Sequence, residues 1–206
     1  MAERPRLYEA LWLPLARIFV GIFFFLFGPY RIRGAYRVPR KGPVLILSNH
    51  ISDFDPPMVQ FACPRPLRFM AKSELFEMKV IGPLLRFFGA FPVKRGEPDR
   101  NSIRLAVDYL KAGEAVGIFP EGQLSETGEL QELKGGVSLI IRMAACPVIC
   151  CGVKNLNRVL PYGSVIPRPA FRTLEVNWGE VREFSKDSST EEILAWVRGQ
   201  LATVSE

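Results

Sequence analysis

The sequence predicts a single α/β domain over residues 31–206, in which a mostly parallel mixed sheet is flanked by helices. Three observations lead to this prediction. Strand-like and helix-like segments alternate along the chain, which is the pattern of parallel βαβ units. Runs such as PVLILS are apolar throughout, as expected for strands that are buried on both faces. The chain has 206 residues, 48% of them hydrophobic, which is enough for one folded core.

Each predicted strand is a short apolar or β-branched run bounded by turn residues. The predicted strands lie at residues 30–38, 43–48, 67–72, 89–95, 115–120, 147–154 and 173–180.

The predicted helices follow these runs and begin or end at typical cap residues. They lie from Pro56 onward, over residues 74–89 in two pieces joined at Gly82 and Pro83, over 99–113 with caps at Asp99 and Gly113, over 135–145, and after a capping box of Ser189 and Glu192. In sheets of this kind, functional side chains gather where strands end and loops lead into helices.

Residues 1–30 form a separate segment, which we predict to be helical and to associate with a membrane. Its apolar run, residues 18–28, is short for a membrane span, and basic residues follow it at positions 31, 33, 37, 40 and 41. Three alternatives stay open: a half-buried interfacial helix or re-entrant anchor, a single span with its basic flank on the cytoplasmic side, and a helix packed in the protein core. Phe23, Phe24 and Phe25 favour lipid over a protein core, because three neighbours point in three directions around a helix.

The formal net charge of +6 indicates an anionic partner, such as phospholipid headgroups, nucleic acid or phosphorylated small molecules. The basic residues are not interleaved with exposed aromatic ones, so no nucleic-acid partner is predicted. The four cysteines lack the paired spacing of zinc ligands and the single histidine is distant in sequence, so no metal site is predicted either. Buried cysteines in a reducing compartment are the favoured interpretation.

The only histidine, His50, lies in the stretch SNHISDFDPP, directly after a predicted buried strand. Asp55 is five residues further on, so a turn is needed to bring its carboxylate to the imidazole. The two prolines that follow predict that Asp55 stays outside the next helix and is able to orient His50 as in a catalytic dyad. The alternatives are that Asp55 only caps the helix, or that Asp53 is the orienting carboxylate.

A second polar loop, FPEG, follows the predicted strand at 115–120 and carries Glu121 and Gly122. A carboxylate at a strand end suits binding of acceptor hydroxyls, and glycine permits close approach of the backbone. A tight turn with a solvated glutamate is the alternative. Lys72 and the pair Lys94 and Arg95 end two other predicted strands, where they suit phosphate binding if they are not simply solvated.

Taken together, these stretches resemble the glycerolipid acyltransferases, in particular the bacterial 1-acylglycerol-3-phosphate acyltransferases. The blocks occur in the family's order over residues 44–153: N-H-x-x-x-x-D as NHISDFD, a lysine-to-arginine block from Lys72 through Gly89 to Arg95, F-P-E-G at 119–122, Lys134 in LKGG, and an apolar strand with Pro147. One departure stands out, because Gln123 and Leu124 occupy the positions where the family usually has Thr-Arg.

The resemblance implies transfer of a fatty acyl group from acyl-CoA or acyl carrier protein to the hydroxyl of a lysolipid such as 1-acylglycerol-3-phosphate, in phospholipid biosynthesis. His50 is then the general base, Asp55 orients it, and Lys72, Arg95, Glu121 and Gly122 bind substrate. No cofactor is implied beyond the acyl donor, and the site faces an anionic lipid surface at the inner face of the cytoplasmic membrane. The open alternatives are a different lysolipid acceptor, hydrolysis of an ester, and a non-catalytic lipid-binding protein.

Overall fold

A computed structural model describes residues 13–93 and 100–206 of the chain. In these residues seven strands form one sheet in the order β1-β7-β6-β2-β5-β3-β4. The strands are β1 (Tyr30–Arg33), β2 (Val44–Ser48), β3 (Leu67–Lys72), β4 (Phe91–Val93), β5 (Ala115–Ile118), β6 (Val148–Lys154) and β7 (Leu174–Arg182). Five of the neighbouring pairs are parallel and the β6–β7 pair is antiparallel, which confirms the predicted mostly parallel mixed sheet.

Helices cover both faces of the sheet. They are α1 (Leu13–Phe27), α2 (Asp55–Ala62), α3 (Ile81–Phe87), α4 (Arg100–Lys111), α5 (Gly136–Ala144), α6 (Leu156–Val159) and α7 (Thr190–Ser205), with short 3₁₀ turns at Ala35–Arg37 and Ser73–Glu77. On one face α1, α2 and α6 pack with the even-numbered residues of β2, and on the other α4, α5 and α7 pack with its odd-numbered residues. This alternation follows from the period of two residues along a strand.

The strand that leads into the site is apolar and fully buried, and it lies in the middle of the sheet. In β2, Leu45 pairs with Val148 of β6 on one side and with Val116 of β5 on the other. Because β2, β5 and β6 run parallel, the loops that follow them leave the same edge of the sheet. The polar residues after β2 and after β5 therefore meet at that edge.

One local prediction is corrected. The joint between the 3₁₀ turn and α3 lies at residues 78–80, and Gly82 and Pro83 belong to the first turn of α3, where proline is tolerated. Gly82 instead allows close packing, since a Cβ there would lie 2.2 Å from the carbonyl oxygen of Phe76. The cap of α7 is confirmed, because the Ser189 hydroxyl accepts the backbone N–H of Glu192 at 3.0 Å. The predicted cap at Asp99 lies outside the described residues.

One side of helix α1 packs against the protein core, and the other side is exposed. Phe24 is only 1% exposed and belongs to the core, so the prediction that the three phenylalanines favour lipid was wrong for this residue. The ring of Phe23 packs edge-on against Phe54 at 5.4 Å, whereas Phe25 is exposed. Across residues 13–93 and 100–206, no helix combines the length and the apolar character of a membrane span. The first twelve residues of the predicted N-terminal segment lie outside the described residues.

Candidate active site

The loop after β2 is fixed to the neighbouring strand by Asn49. Its side-chain amide donates to the carbonyl oxygen of Val153 at 3.0 Å, and its side-chain oxygen accepts the Val153 N–H at 2.7 Å. Both residues are buried, so the two bonds satisfy backbone groups of β6 that water does not reach. Asn49 holds His50 at the edge of the sheet, a role that the sequence analysis missed although Asn49 belongs to the N-H-x-x-x-x-D block.

His50 and Asp55 meet in this loop. The imidazole Nδ1 lies 3.0 Å from the Asp55 Oδ2. The same oxygen accepts the backbone N–H groups of Ile51 at 2.6 Å and Ser52 at 2.8 Å, so one carboxylate closes the turn and orients the ring. The predicted juxtaposition of His50 and Asp55 is therefore present, whereas Asp53 is exposed.

The means by which Asp55 reaches His50 differs from the prediction. Asp55 is the first residue of α2, because the helix begins with the Met58 N–H bonded to the Phe54 carbonyl at 3.1 Å. The prolines at 56 and 57 thus do not keep Asp55 outside the helix; they occupy first-turn positions, whose N–H groups have no helical acceptor in any case. The chain turns back before the helix, with the Asp55 N–H bonded to the Ser52 carbonyl at 3.0 Å.

Burial governs the electrostatics of Asp55. The residue is 0% exposed, and its Oδ1 has no hydrogen-bond partner among the described residues. Burial raises the pKa of Asp55, while the hydrogen bonds from the His50 ring and from the Ser52 and Ile51 amides act in the opposite direction. The three N–H donors on Oδ2 thus offset part of the cost of burying the charged carboxylate.

The His50 ring is held between Asp55 and aromatic side chains. It stacks on Phe119 with ring centroids 4.1 Å apart and an interplanar angle of 20°, and Phe119 stacks in turn on Phe69 at 5.8 Å. Within the described chain, Nδ1 has Asp55 as its partner and Nε2 has no hydrogen-bond partner. A ring fixed in this way leaves Nε2 as the nitrogen that is able to exchange a proton with a bound molecule.

Glu121 is an internal link between two loops. It is 1% exposed; its Oε1 accepts the His50 N–H at 2.9 Å and its Oε2 accepts the Gln131 N–H at 2.9 Å. Burial raises the pKa of Glu121, and these two hydrogen bonds oppose that rise. Both carboxylate oxygens are thus engaged by the protein, which favours a role in positioning His50. The substrate-binding role expected for Glu121 stays a prediction.

The turn after Glu121 is shaped by Gly122 and lined by amides. Gly122 has φ +74°, a left-handed conformation that glycine adopts without strain, and a Cβ there would lie 3.4 Å from the Cγ of Lys134. Beside it, the Gln123 amide donates to the Gln131 side-chain oxygen at 2.7 Å. An uncharged amide pair therefore stands in the segment that follows the F-P-E-G block.

Among the predicted cationic substrate-binding residues, Lys72 lies in the described part of the chain. Lys72 ends β3, and its Nζ lies 3.6 Å from the Glu74 carboxylate, at a partly exposed position. Arg95 and Lys94 lie outside the described residues. Substrate binding by Lys72 and Arg95 stays a prediction.

The four cysteines are free thiols, and each of them is buried. This confirms their predicted burial. Burial raises the pKa of Cys63 and of Cys146 to about 11 and that of Cys150 to about 12, so these thiols stay protonated near neutral pH. Among the described residues, His, Cys, Asp and Glu side chains do not gather in a group of three that would suit a metal ion.

The sequence is similar to one protein family and to several named proteins. The family described as Acyltransferase matches residues 30–154. The 1-acyl-sn-glycerol-3-phosphate acyltransferase of Bacillus subtilis is 43% identical over 86 residues, which are 42% of this chain and 42% of that protein. The enzyme of the same name from Streptococcus pneumoniae is 33% identical over 121 residues, 56% of this chain and 44% of that protein. The chain thus matches somewhat less than half the length of these relatives.

A solved structure has the same fold. The crystal structure of the 1-acyl-sn-glycerophosphate (LPA) acyltransferase PlsC from Thermotoga maritima superposes with a TM-score of 0.80. The match covers 93% of this chain and 77% of that one at 22% sequence identity. At this identity the likeness establishes the single α/β domain with its flanking helices.

Proposed function

Since this chain belongs to the acyltransferase family, we propose that it moves a fatty acyl group from an acyl thioester to the hydroxyl of a lysolipid of the 1-acylglycerol-3-phosphate type, in phospholipid biosynthesis. The observation that supports this most directly is the fixed geometry of the loop after β2. Asp55 holds Nδ1 of His50 at 3.0 Å and leaves Nε2 for the acceptor hydroxyl. Acyl-CoA and acyl carrier protein are the two candidate donors.

In the proposed reaction His50 acts as general base and then as general acid. With the proton on Nδ1 directed to Asp55, Nε2 takes the proton of the acceptor hydroxyl while its oxygen attacks the thioester carbonyl carbon. The carbon–sulfur bond then breaks, and the thiolate receives the proton from Nε2. Asp55 stabilises the imidazolium that exists between these two steps. The sequence lacks a G-x-S-x-G serine motif and its cysteines are buried, so an acyl-enzyme is not required.

The test measures transfer of a labelled acyl group by the purified protein in the presence and absence of each lysolipid. His50→Ala is expected to abolish transfer and to leave the thermal unfolding transition in place. Asp53→Asn is the matched control, because Asp53 is an exposed carboxylate in the same loop. Turnover by His50→Ala near the wild-type rate would refute the mechanism, and label released without an acceptor would indicate hydrolysis. A biological effect that survives the loss of His50 would indicate a non-catalytic lipid-binding protein.

The acceptor headgroup has a second candidate, because Leu124 stands where the family usually has an arginine, next to the uncharged Gln123–Gln131 amide pair. We propose a lysophospholipid, lyso-aminolipid or glycolipid as the alternative to 1-acylglycerol-3-phosphate. The two are separated by kcat/KM over a panel of acceptors, together with Lys72→Gln and Arg95→Gln. If the acceptor is a phosphomonoester, these two substitutions raise KM for it and leave KM for a neutral glycolipid unchanged.

The outer face of α1 supports the proposed place at the inner face of the cytoplasmic membrane. Its exposed apolar residues follow a helical spacing along one side: Leu15, Ile18, Phe19, Ile22, Phe25 and Leu26. A helix that buries one side in its own domain and keeps the other side apolar suits the interfacial alternative. Deletion of α1 would also remove Phe24 from the core, so Phe19→Glu is the cleaner test. It is expected to release the protein from membranes without unfolding it.

A further inference from the structure

The segment between α6 and β7, residues 160–173, carries three exposed apolar side chains. Phe171 is 90% exposed, Val165 89% and Ile166 74%. Phe171 also has φ +50°, a left-handed conformation that a bulky aromatic residue rarely adopts. Phe171 therefore combines an unfavourable backbone conformation with a ring that the described protein leaves exposed. Backbone outliers of this kind are associated with functional sites.

The segment is tied down at both ends. The Ala170 N–H bonds the carbonyl oxygen of Phe27, the last residue of α1, at 2.8 Å. At the other end, the Ser52 hydroxyl donates to the carbonyl oxygen of Leu160 at 3.0 Å. The segment thus runs from the loop that carries His50 to the carboxyl end of α1.

The charged residues of the segment are all basic. Residues 160–173 include Arg168 and Arg172 and contain no aspartate or glutamate, and Arg158 lies in the preceding helix α6. All three arginines are exposed. Exposed apolar side chains with arginines among them match a bilayer surface with anionic headgroups, where the rings enter the acyl boundary and the guanidinium groups meet phosphates.

The position of the segment argues for a lipid occupant over a second protein. Its backbone runs close to α1, since a Cβ on Gly28 would lie 2.9 Å from the Arg172 carbonyl oxygen. The exposed apolar side chains of the segment therefore belong to a stretch of chain that borders both α1, whose outer side is apolar, and the loop that carries His50. We propose that residues 160–173 form a second lipid-contacting element, in which Phe171, Val165 and Ile166 enter an anionic bilayer beside the site. This proposal rests on the membrane location given under the proposed function.

The test compares Phe171→Asn with Met143→Ser. Asparagine tolerates the left-handed backbone, so the first variant removes the ring without adding strain. Met143 is an exposed apolar residue of α5, on the opposite face of the sheet from α1. Binding is measured by flotation with vesicles of phosphatidylglycerol and phosphatidylcholine. We expect Phe171→Asn to lower the partition coefficient about tenfold, with Met143→Ser unchanged and with weaker wild-type binding to phosphatidylcholine alone.

A second measurement reports insertion directly. The native cysteines are buried, so Phe171→Cys and Met143→Cys each offer one accessible thiol for an environment-sensitive fluorophore. The label at position 171 is expected to shift to the blue on adding anionic vesicles, and the label at 143 to stay unchanged.

The lipid-contacting role and the proposed acyl transfer would fail under different outcomes. Equal vesicle binding by Phe171→Asn and wild type would overturn the proposal. Loss of self-association by Phe171→Asn in sedimentation velocity, with lipid binding retained, would also overturn it, because the segment would then contact a second copy of the protein. A wild-type protein that bound no vesicles would refute the membrane location and this proposal together. Reduced vesicle binding by Phe171→Asn in a protein without acyl transfer would support the lipid-contacting element and refute the proposed activity alone. With a monomeric short-chain lysolipid, turnover by Phe171→Asn is expected to equal that of wild type.

Discussion

Replacing Glu121 by glutamine separates a positioning role from a substrate-binding role. Glu121 accepts one backbone N–H on each carboxylate oxygen, from His50 and from Gln131, both at 2.9 Å. Glutamine has one oxygen and one NH₂ group in the same space. The NH₂ would face a backbone N–H that needs an acceptor, so one of the two loops would lose its hydrogen bond.

The magnitude follows from this geometry. A buried N–H left without an acceptor costs about 1–3 kcal/mol. Burial raises the pKa of Glu121, which means that its charged carboxylate is unfavourable in the folded protein. Replacing it with a neutral amide therefore offsets part of that cost. We therefore expect the free energy of unfolding to fall by about 1–2 kcal/mol, which corresponds to about 2–8 °C in Tm for a domain of this size. A shift of His50 by a fraction of an ångström is expected to lower kcat by about 10–100-fold, with KM for the acceptor nearly unchanged.

The assay combines thermal unfolding with initial rates of acyl transfer over a range of acceptor concentrations. Glu132→Gln is the control, because it makes the same chemical change at an exposed position of the neighbouring loop. An increase in KM with kcat and Tm unchanged would refute the reasoning. That result would show that Glu121 contacts the acceptor, as the sequence predicted.

Three further predictions follow from the same loops. Asp55→Asn is expected to lower kcat by about 10³–10⁴-fold while the protein stays folded, because an amide imposes the wrong tautomer on the ring; loss of less than tenfold in initial rate would contradict this. Asn49→Ala leaves the N–H and the carbonyl of Val153 unpaired and is expected to reduce the free energy of unfolding by about 2–4 kcal/mol, measured by urea denaturation. The raised pKa of Glu121 means that the folded protein binds more protons than the unfolded chain above the ordinary value of 4.5. Stability is therefore expected to fall as pH rises through the folded pKa, and a Glu121→Gln variant that showed the same slope in urea denaturation at pH 4–7 would disprove the assignment.

The sheet could be predicted from the sequence because its strands are marked locally. The apolar runs at β2, β5 and β6 are buried on both faces. Such runs can be recognised as strands without knowing which other strands they pair with. The antiparallel pairing of β7 with β6 was not anticipated in detail, because strand order depends on contacts between distant segments.

The candidate site was predictable in its residues and less so in its geometry. His50 and Asp55 were identified from their spacing and from the family blocks, and they do meet. The beginning of α2 at Asp55 was missed, because one carboxylate accepts two backbone N–H groups and closes the turn before the helix. The link from Glu121 to the His50 backbone spans 71 residues, and the stack on Phe119 spans a similar distance, so no local pattern reports either contact.

The distant attachments of the His50 loop also set the time at which it forms during synthesis. The loop is bonded to Glu121, to Val153 through Asn49, and to Leu160 through Ser52. A nascent chain that has not yet released residue 160 from the ribosome lacks the last of these attachments, although His50 and Asp55 emerged about a hundred residues earlier. The loop therefore reaches its final geometry only after residue 160 has left the ribosome. A ribosome-bound fragment ending near residue 130 would carry both members of the dyad with neither Val153 nor Leu160 to hold their loop in place.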